Sequence, residues 1–292
     1  MNFEFRISKW ANFYYFVQNL SEWHFSNRKD YNIFWREKLE PFSKNEEVAL
    51  KKLKEIRLKY PRSKSCFEKA FFLSEHPLEE LKNCLSKKDH ILVEEIFDIL
   101  KNKFDVLYKE EFPLLEKWHN ALSEKAKDHN LITEVFSALN TLYKSGIKEK
   151  KILVSLLLST YEHVGGGANI DSDIVSLEVS RSPLEKINQA MGIIWHETIH
   201  LIFQDQFFSV LMDYFKDDEQ TATFINELTA GALFPGGILG IRLLKNKPTA
   251  QLLPQVTKEQ TVMIIDLVKE YIDQRNQLDL EFIERLIKII GK

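Results

Sequence analysis

The chain has 292 residues, of which 44% are hydrophobic and 28% are charged, and its formal net charge is −3 at pH 7. This length suffices to bury a sizeable core, and the hydrophobic share excludes an intrinsically disordered chain. Because a nucleic-acid-binding protein needs a strongly basic face, the charge balance predicts no nucleic-acid partner.

The cellular compartment is predicted from segments that the sequence lacks. The first residues, MNFEFR, show no basic stretch followed by an apolar run, so no secretory signal is expected. No run approaches about 18 uncharged apolar residues, so we expect no membrane span and no membrane partner. Cys66 and Cys84 are interpreted as buried thiols, with a disulfide between them as the alternative. These features favour a cytoplasmic protein.

Two regions are predicted along the chain. Residues 1–145 are expected to form a helical N-terminal region, because apolar residues such as Ile91, Ile96 and Leu100 recur there at helical spacing. Residues 146–292 are expected to form the domain that carries the chemistry, because the pattern of the sequence changes at their start.

Two strands are predicted at the beginning of the second region. The apolar run Ile152–Leu158 suits a buried strand, and polar and apolar residues alternate in Ile174–Val179. Two strands alone are marginally stable and must pack against helices, so the predicted fold is mainly α with a small β-sheet (α+β). The glycine run Gly165–Gly167 is either a flexible turn or a segment where a peptide substrate approaches a strand edge.

A strongly apolar helix is predicted from Pro183 to Phe203. Ser182 can cap it, Pro183 fits its first position, and Glu185 completes a capping box. From Met191 onwards the helix is apolar on nearly all sides, so we expect it to be buried.

Three ionisable residues interrupt this apolar helix, namely His196, Glu197 and His200. Residues four apart share one helix face, so both imidazoles can converge on one metal ion, while Glu197 is rotated away. This is the H-E-x-x-H arrangement, in which two histidines bind zinc and the glutamate is the general base. The alternative is a pair of core histidines bonded to carbonyls, with Glu197 in a salt bridge.

A catalytic zinc site needs a third protein ligand, and Glu227 is the favoured candidate. It lies within a predicted helix among apolar neighbours, and the small residues Ala230 and Gly231 allow this helix to approach the histidines closely. Acidic residues nearer the start of that helix are expected there for capping instead. The alternative is that Glu227 is a surface glutamate.

The His196-Glu197-x-x-His200 motif followed by Asn226-Glu227 resembles the gluzincin class of zinc metallopeptidases. The resemblance implies a zincin-like catalytic region, a Zn²⁺ cofactor, and a peptide or protein substrate. Thermolysin-like gluzincins carry an aspartate four residues after the ligand glutamate, and this aspartate orients a zinc histidine. This sequence has Gly231 there, so another acceptor is expected, either Asp213 or a backbone carbonyl.

The predicted function is therefore hydrolysis of peptide bonds by a metal-activated water, with Glu197 as general base. A second group must stabilise the oxyanion. Tyr161 and His163 are the first candidates because they lie beside the glycine run, with Tyr214 and Tyr271 after them. Each of the first two could equally be an ordinary loop residue.

The alternative function is that of a non-catalytic or regulatory metal-binding protein that retains a zincin fold. The sequence favours the enzyme, because a purely structural zinc site does not require Glu197. Neither the substrate's side-chain specificity nor the oligomeric state can be predicted from these residues.

Overall fold

The computed structural model describes most of the chain, in the ranges 1–24, 27–61, 66–160, 164–169 and 173–291. These residues are mostly helical and include one four-stranded sheet, so the predicted α+β class is confirmed. The helices before the main part of the sheet are α1 (Lys9–Ser21), α2 (Lys29–Lys38), α3 (Lys44–Lys59), α4 (Phe67–Leu73), α5 (Pro77–Glu80), α6 (Lys87–Lys125) and α7 (His129–Tyr143). The helices after it are α8 (Ile187–Thr198), α9 (Asp205–Tyr214), α10 (Glu219–Leu233), α11 (Ile238–Leu244), α12 (Lys258–Asp273) and α13 (Leu280–Ile290).

Short helical segments of other types adjoin some of these helices. A 3₁₀ turn, Leu81–Asn83, follows α5, and another, Leu184–Lys186, leads into α8. A π-helical segment, Ile199–Phe203, joins α8 to α9. The predicted start of this helix was wrong in detail, because Pro183 rather than Ser182 is the N-cap of the 3₁₀ turn, and α8 itself begins only at Ile187.

The sheet consists of β1 (Asn2–Arg6), β2 (Lys151–Leu157), β3 (Gly165–Asn169) and β4 (Ile174–Glu178), in the order β1-β2-β4-β3. Strands β1, β2 and β4 are parallel, and β3 is an antiparallel edge strand. The predicted strands β2 and β4 are confirmed. The helical interpretation of the first residues was wrong, because they form β1.

The two faces of the sheet pack against different helices. Phe3 meets Trp195 of α8 edge-on, with ring centroids 5.0 Å apart. Helix α1 is tied to the sheet by Asn12, whose buried amide donates to the carbonyl of Leu156 and accepts from the N–H of Leu158. Since β1 belongs to the same sheet as β2 to β4, the regions 1–145 and 146–292 share one sheet. Their division into domains stays a prediction.

One helical stretch, Glu219–Leu244, has the length and composition of a membrane span, with a mean hydropathy of 1.3 in its most apolar window. In the fold 72% of that window is buried. We therefore interpret the stretch, which comprises α10 and α11, as a core segment.

The two cysteines are paired. Cys66 and Cys84 form a disulfide, and their Cα atoms are 6.4 Å apart, within the usual range for such a bond. The interpretation of both residues as free thiols was therefore wrong. Disulfides persist mainly in oxidising compartments, so this pair does not favour the cytoplasm, and a cytoplasmic location stays a prediction.

A charge cluster anchors the start of the long helix α6. Asp89 accepts hydrogen bonds from Lys59, from the Tyr60 hydroxyl at 2.8 Å and from the Ser86 hydroxyl at 2.6 Å. Ser86 is also the N-cap, since its Oγ accepts from the Asp89 N–H. The hydrogen bond from Lys59, followed by that from Ser86, lowers the pKa of Asp89 to about 2.

This lowered pKa predicts a loss of stability in acid. The carboxylate is more acidic in the folded chain than in the unfolded one, where its pKa is about 3.9. Its stabilisation is thus present above about pH 4 and is lost as the pH falls towards 2. We expect Asp89→Asn to flatten this part of the stability curve, measured by urea unfolding. Asp98→Asn, at an exposed position of α6, is the control. If the free energy of unfolding of Asp89→Asn fell in acid as steeply as that of the unaltered protein, the prediction would be contradicted.

Candidate metal centre

Helix α8, which carries His196 and Glu197, is a regular α-helix up to Thr198 and continues as a wider π-helical turn. His196 lies in the last turn of α8, whereas His200 lies in the π-helical segment that follows. The bond from the Gln204 N–H to the Ile199 carbonyl spans five residues, as the π conformation requires. Such segments occur frequently at functional sites. The helix predicted up to Phe203 is thus present, with its last turn in another helical form.

The structure brings together the three side chains that the sequence predicted as metal ligands. The Nε2 atoms of His196 and His200 are 3.2 Å apart. The carboxylate oxygens of Glu227, on α10, lie 3.5 Å from the first and 3.4 Å from the second. Ligand atoms around a tetrahedral zinc ion lie roughly 3.3–3.6 Å from one another, given bonds of about 2.0–2.2 Å. The donor set and its spacing therefore fit zinc, and metal binding itself stays a prediction.

Hydrogen bonds fix the orientation of both histidine rings. His196 Nδ1 lies 3.2 Å from the backbone oxygen of Phe234, and His200 Nδ1 lies 2.7 Å from the side-chain oxygen of Gln204. Both partners are acceptors, so each Nδ1 can donate to them. In a neutral ring this leaves on Nε2 the lone pair that a metal ligand needs, whereas a protonated ring also donates from Nε2 to Glu227.

Gln204 is itself held in place, since the Asn226 side chain donates to the same oxygen. A backbone carbonyl was one of the two predicted acceptors, and Phe234 supplies it for His196. The other predicted acceptor, Asp213, was wrong. It is exposed on α9, and the acceptor beside His200 is Gln204. The signal for Gln204 was present in the sequence, since it stands four residues after His200.

The electrostatics of the cluster favour a cation between the three residues. Burial alone would raise the pKa of Glu227, but hydrogen bonds with His196 and His200 outweigh burial and hold it well below its usual range. Burial lowers the pKa of His200, yet its hydrogen bond with Glu227 and the charge of that carboxylate raise it overall. Two imidazole nitrogens 3.2 Å apart beside a carboxylate share either a proton or a metal ion.

Glu197 lies beside this cluster but outside it, against the edge strand β3. A Cβ atom added to Gly166 would lie 2.5 Å from Ile193 and 3.3 Å from the Glu197 side chain, so only glycine fits there. Burial raises the pKa of Glu197, and the nearby histidines oppose this effect. The glycine run is therefore a strand packed on α8 rather than a flexible turn.

The structure describes only some of the residues that were predicted to stabilise an oxyanion. Tyr161 and His163 lie outside the described residues, so their predicted role stays a prediction. Tyr214 is exposed at the end of α9, and Tyr271 is buried against Phe282.

One tyrosine near the cluster was missed by the sequence analysis. Tyr143 is buried at the end of α7 against Phe203 of the π segment. Burial, and then the charge of Glu227, raise its pKa, and its hydroxyl has no hydrogen-bond partner among the described residues. Nothing in the sequence distinguishes Tyr143 from an ordinary core residue of an amphipathic helix.

Comparison with protein-family models, with curated proteins and with solved structures found no match for this chain. The gluzincin resemblance therefore depends on the residues and geometry described above.

The hydrogen bond from His200 to Gln204 can be tested separately. We expect Gln204→Leu to weaken metal binding by about 10–100-fold, the usual effect of losing the partner that orients a ligand histidine. Gln206→Leu makes the same change at an exposed position two residues further on and should leave affinity unchanged. Both affinities can be measured by competition with a chromogenic zinc chelator. Equal affinities for the two variants would show that Gln204 does not orient His200.

Proposed function

We propose that this protein is a zinc-dependent metallopeptidase of zincin-like architecture, with His196, His200 and Glu227 as the metal ligands. The observation that carries the proposal is the convergence of their three donor groups, with both Nδ1 atoms already engaged elsewhere. Glu227 remains partly exposed, which suits a site that a substrate must reach.

Zinc, when bound, supplies a Lewis acid that polarises a carbonyl and lowers the pKa of a water molecule towards about 7. Glu197 then accepts the proton of the attacking water and delivers it to the leaving nitrogen. Its burial suits this role, since a raised carboxyl pKa brings the group closer to the working range of an acid–base catalyst.

Strand β3 supports a peptide as the substrate. It is an edge strand of the sheet among the described residues, and its Gly166 faces Ile193 and Glu197 of α8. An extended peptide can add to such an edge through main-chain hydrogen bonds. Because glycine has no side chain, a substrate can approach α8 closely at these positions. A short sheet beside the metal-binding helix, with the glutamate on a following helix, is the arrangement that the resemblance implies.

The alternative is a metal-binding protein without turnover. It would need His196, His200 and Glu227 as ligands but would have no role for Glu197. The position of Glu197 therefore favours the enzyme.

The proposal is tested by incubating the purified protein with a mixed peptide library and identifying products by mass spectrometry. We expect cleavage that a zinc chelator abolishes and added zinc restores. Zinc binding without any cleavage would support the non-catalytic alternative, and cleavage unaffected by chelation would exclude the metallopeptidase.

A further inference from the structure

Strand β1 forms the edge of the sheet opposite β3, and among the described strands it pairs only with β2. The N–H of Asn2 donates to the carbonyl of Lys150 at 2.9 Å, and in a parallel ladder every second residue from there bonds to β2. Phe3 and Phe5 are the residues in between, so their N–H and C=O groups point away from the sheet. No hydrogen bond from another described residue reaches these groups. This edge therefore offers free backbone donors and acceptors to another strand.

The side chains of β1 alternate between the core and the surface. Phe3 and Phe5 are buried, whereas the side chains of Glu4 and Arg6 on the other face are 38% and 42% exposed. Glu4 forms an ion pair with Lys151. Arg6 lies 3.7 Å from Glu4, which is longer than a hydrogen bond. Arg6 thus keeps N–H donors available for an acidic group at this edge.

The order of these charges is complementary to itself. If a second copy of β1 lies antiparallel, with a two-fold axis through Phe5, Glu4 of each copy lies opposite Arg6 of the other. The two Phe5 residues then exchange both of their outward backbone hydrogen bonds. Glu4 and Arg6 fall at the non-hydrogen-bonded position, where opposite Cα atoms are only about 4.5 Å apart. Opposite charges at such positions stabilise strand pairing.

We propose that β1 is a dimerisation edge, through which two copies of this chain join their sheets into one of eight strands. The charges select the register, because an axis through Glu4 or through Arg6 would place like charges opposite each other. The interface lies at the edge remote from β3, so the proposed metal centre stays accessible in the dimer.

Charge reversal tests this pairing without altering the core. Sedimentation velocity of the full chain is expected to show a dimer. Glu4→Arg and Arg6→Glu each place like charges opposite each other, so each variant alone should dimerise at least about tenfold more weakly. An equimolar mixture of the two variants restores opposite charges at both positions and should form a heterodimer. Lys88→Glu, at an exposed position of α6, is the control and should leave the dimer unchanged.

Hydrogen exchange distinguishes pairing through β1 from association through another surface. The amides of Phe3 and Phe5 are bonded only in the dimer, so their exchange should slow as the concentration of the unaltered protein rises. In Arg6→Glu it should stay fast. A chain that is monomeric at its highest soluble concentration would overturn the proposal. So would a dimer that leaves these two amides unprotected, or a mixture of the two variants that does not associate.

Discussion

Replacing Glu197 by glutamine is expected to lower peptide hydrolysis by about 10²–10⁴-fold while the zinc content stays unchanged. The amide has nearly the same shape, so the packing against Gly166 can persist. It cannot accept the proton of the attacking water, and this is the only function that the substitution removes. Turnover and zinc content should be measured on the same preparation.

The control for this variant is Glu219→Gln, which makes the same change in the exposed first turn of α10. It should keep full activity. Activity of Glu197→Gln within a few-fold of the unaltered protein would contradict the general-base role. Such a result would not contradict the proposed metal site, because Glu197 is not one of its three ligands.

Removing the third ligand should have an equally large effect on metal binding. We expect Glu227→Ala to weaken zinc affinity by more than about 100-fold, beyond the range for residues that only orient a ligand. The two histidines would then be left without the carboxylate whose oxygens lie within 3.5 Å of their Nε2 atoms. Zinc affinity is measured by chelator competition, and hydrolysis should fall in parallel.

Glu219→Ala is the matched control for this loss, since Glu219 belongs to the same helix and is exposed. Unchanged zinc affinity in Glu227→Ala would show that another residue completes the site. The gluzincin resemblance would then fail, since it depends on this glutamate.

The local parts of the candidate site were predictable because they follow from helical spacing. His196 and His200 are four residues apart, so one continuous helix brings their side chains together. Their Nε2 atoms are close even though His200 lies in the π-helical segment. The choice of Glu227 required a second argument, namely that zinc needs a third ligand and that this glutamate lies mid-helix among apolar and small neighbours.

Other features depend on contacts between distant parts of the chain, so the sequence could not predict them. Strand β3 consists mainly of glycine, which has a low strand propensity, and it is a strand only because it pairs with β4. The Cys66–Cys84 disulfide depends on where α4 and the turn after α5 meet. By contrast, the alternation of Phe3 and Phe5 with charged residues was a usable signal for β1, and it was missed.

Zinc content is the measurement that tests the central claim most directly. Elemental analysis of the protein, reconstituted with zinc and freed of excess metal, should give one zinc per chain. The same analysis of His196→Ala and His200→Ala should give almost none, because each variant leaves only two ligands. Absence of zinc from the reconstituted unaltered protein, or full occupancy in both histidine variants, would contradict the account.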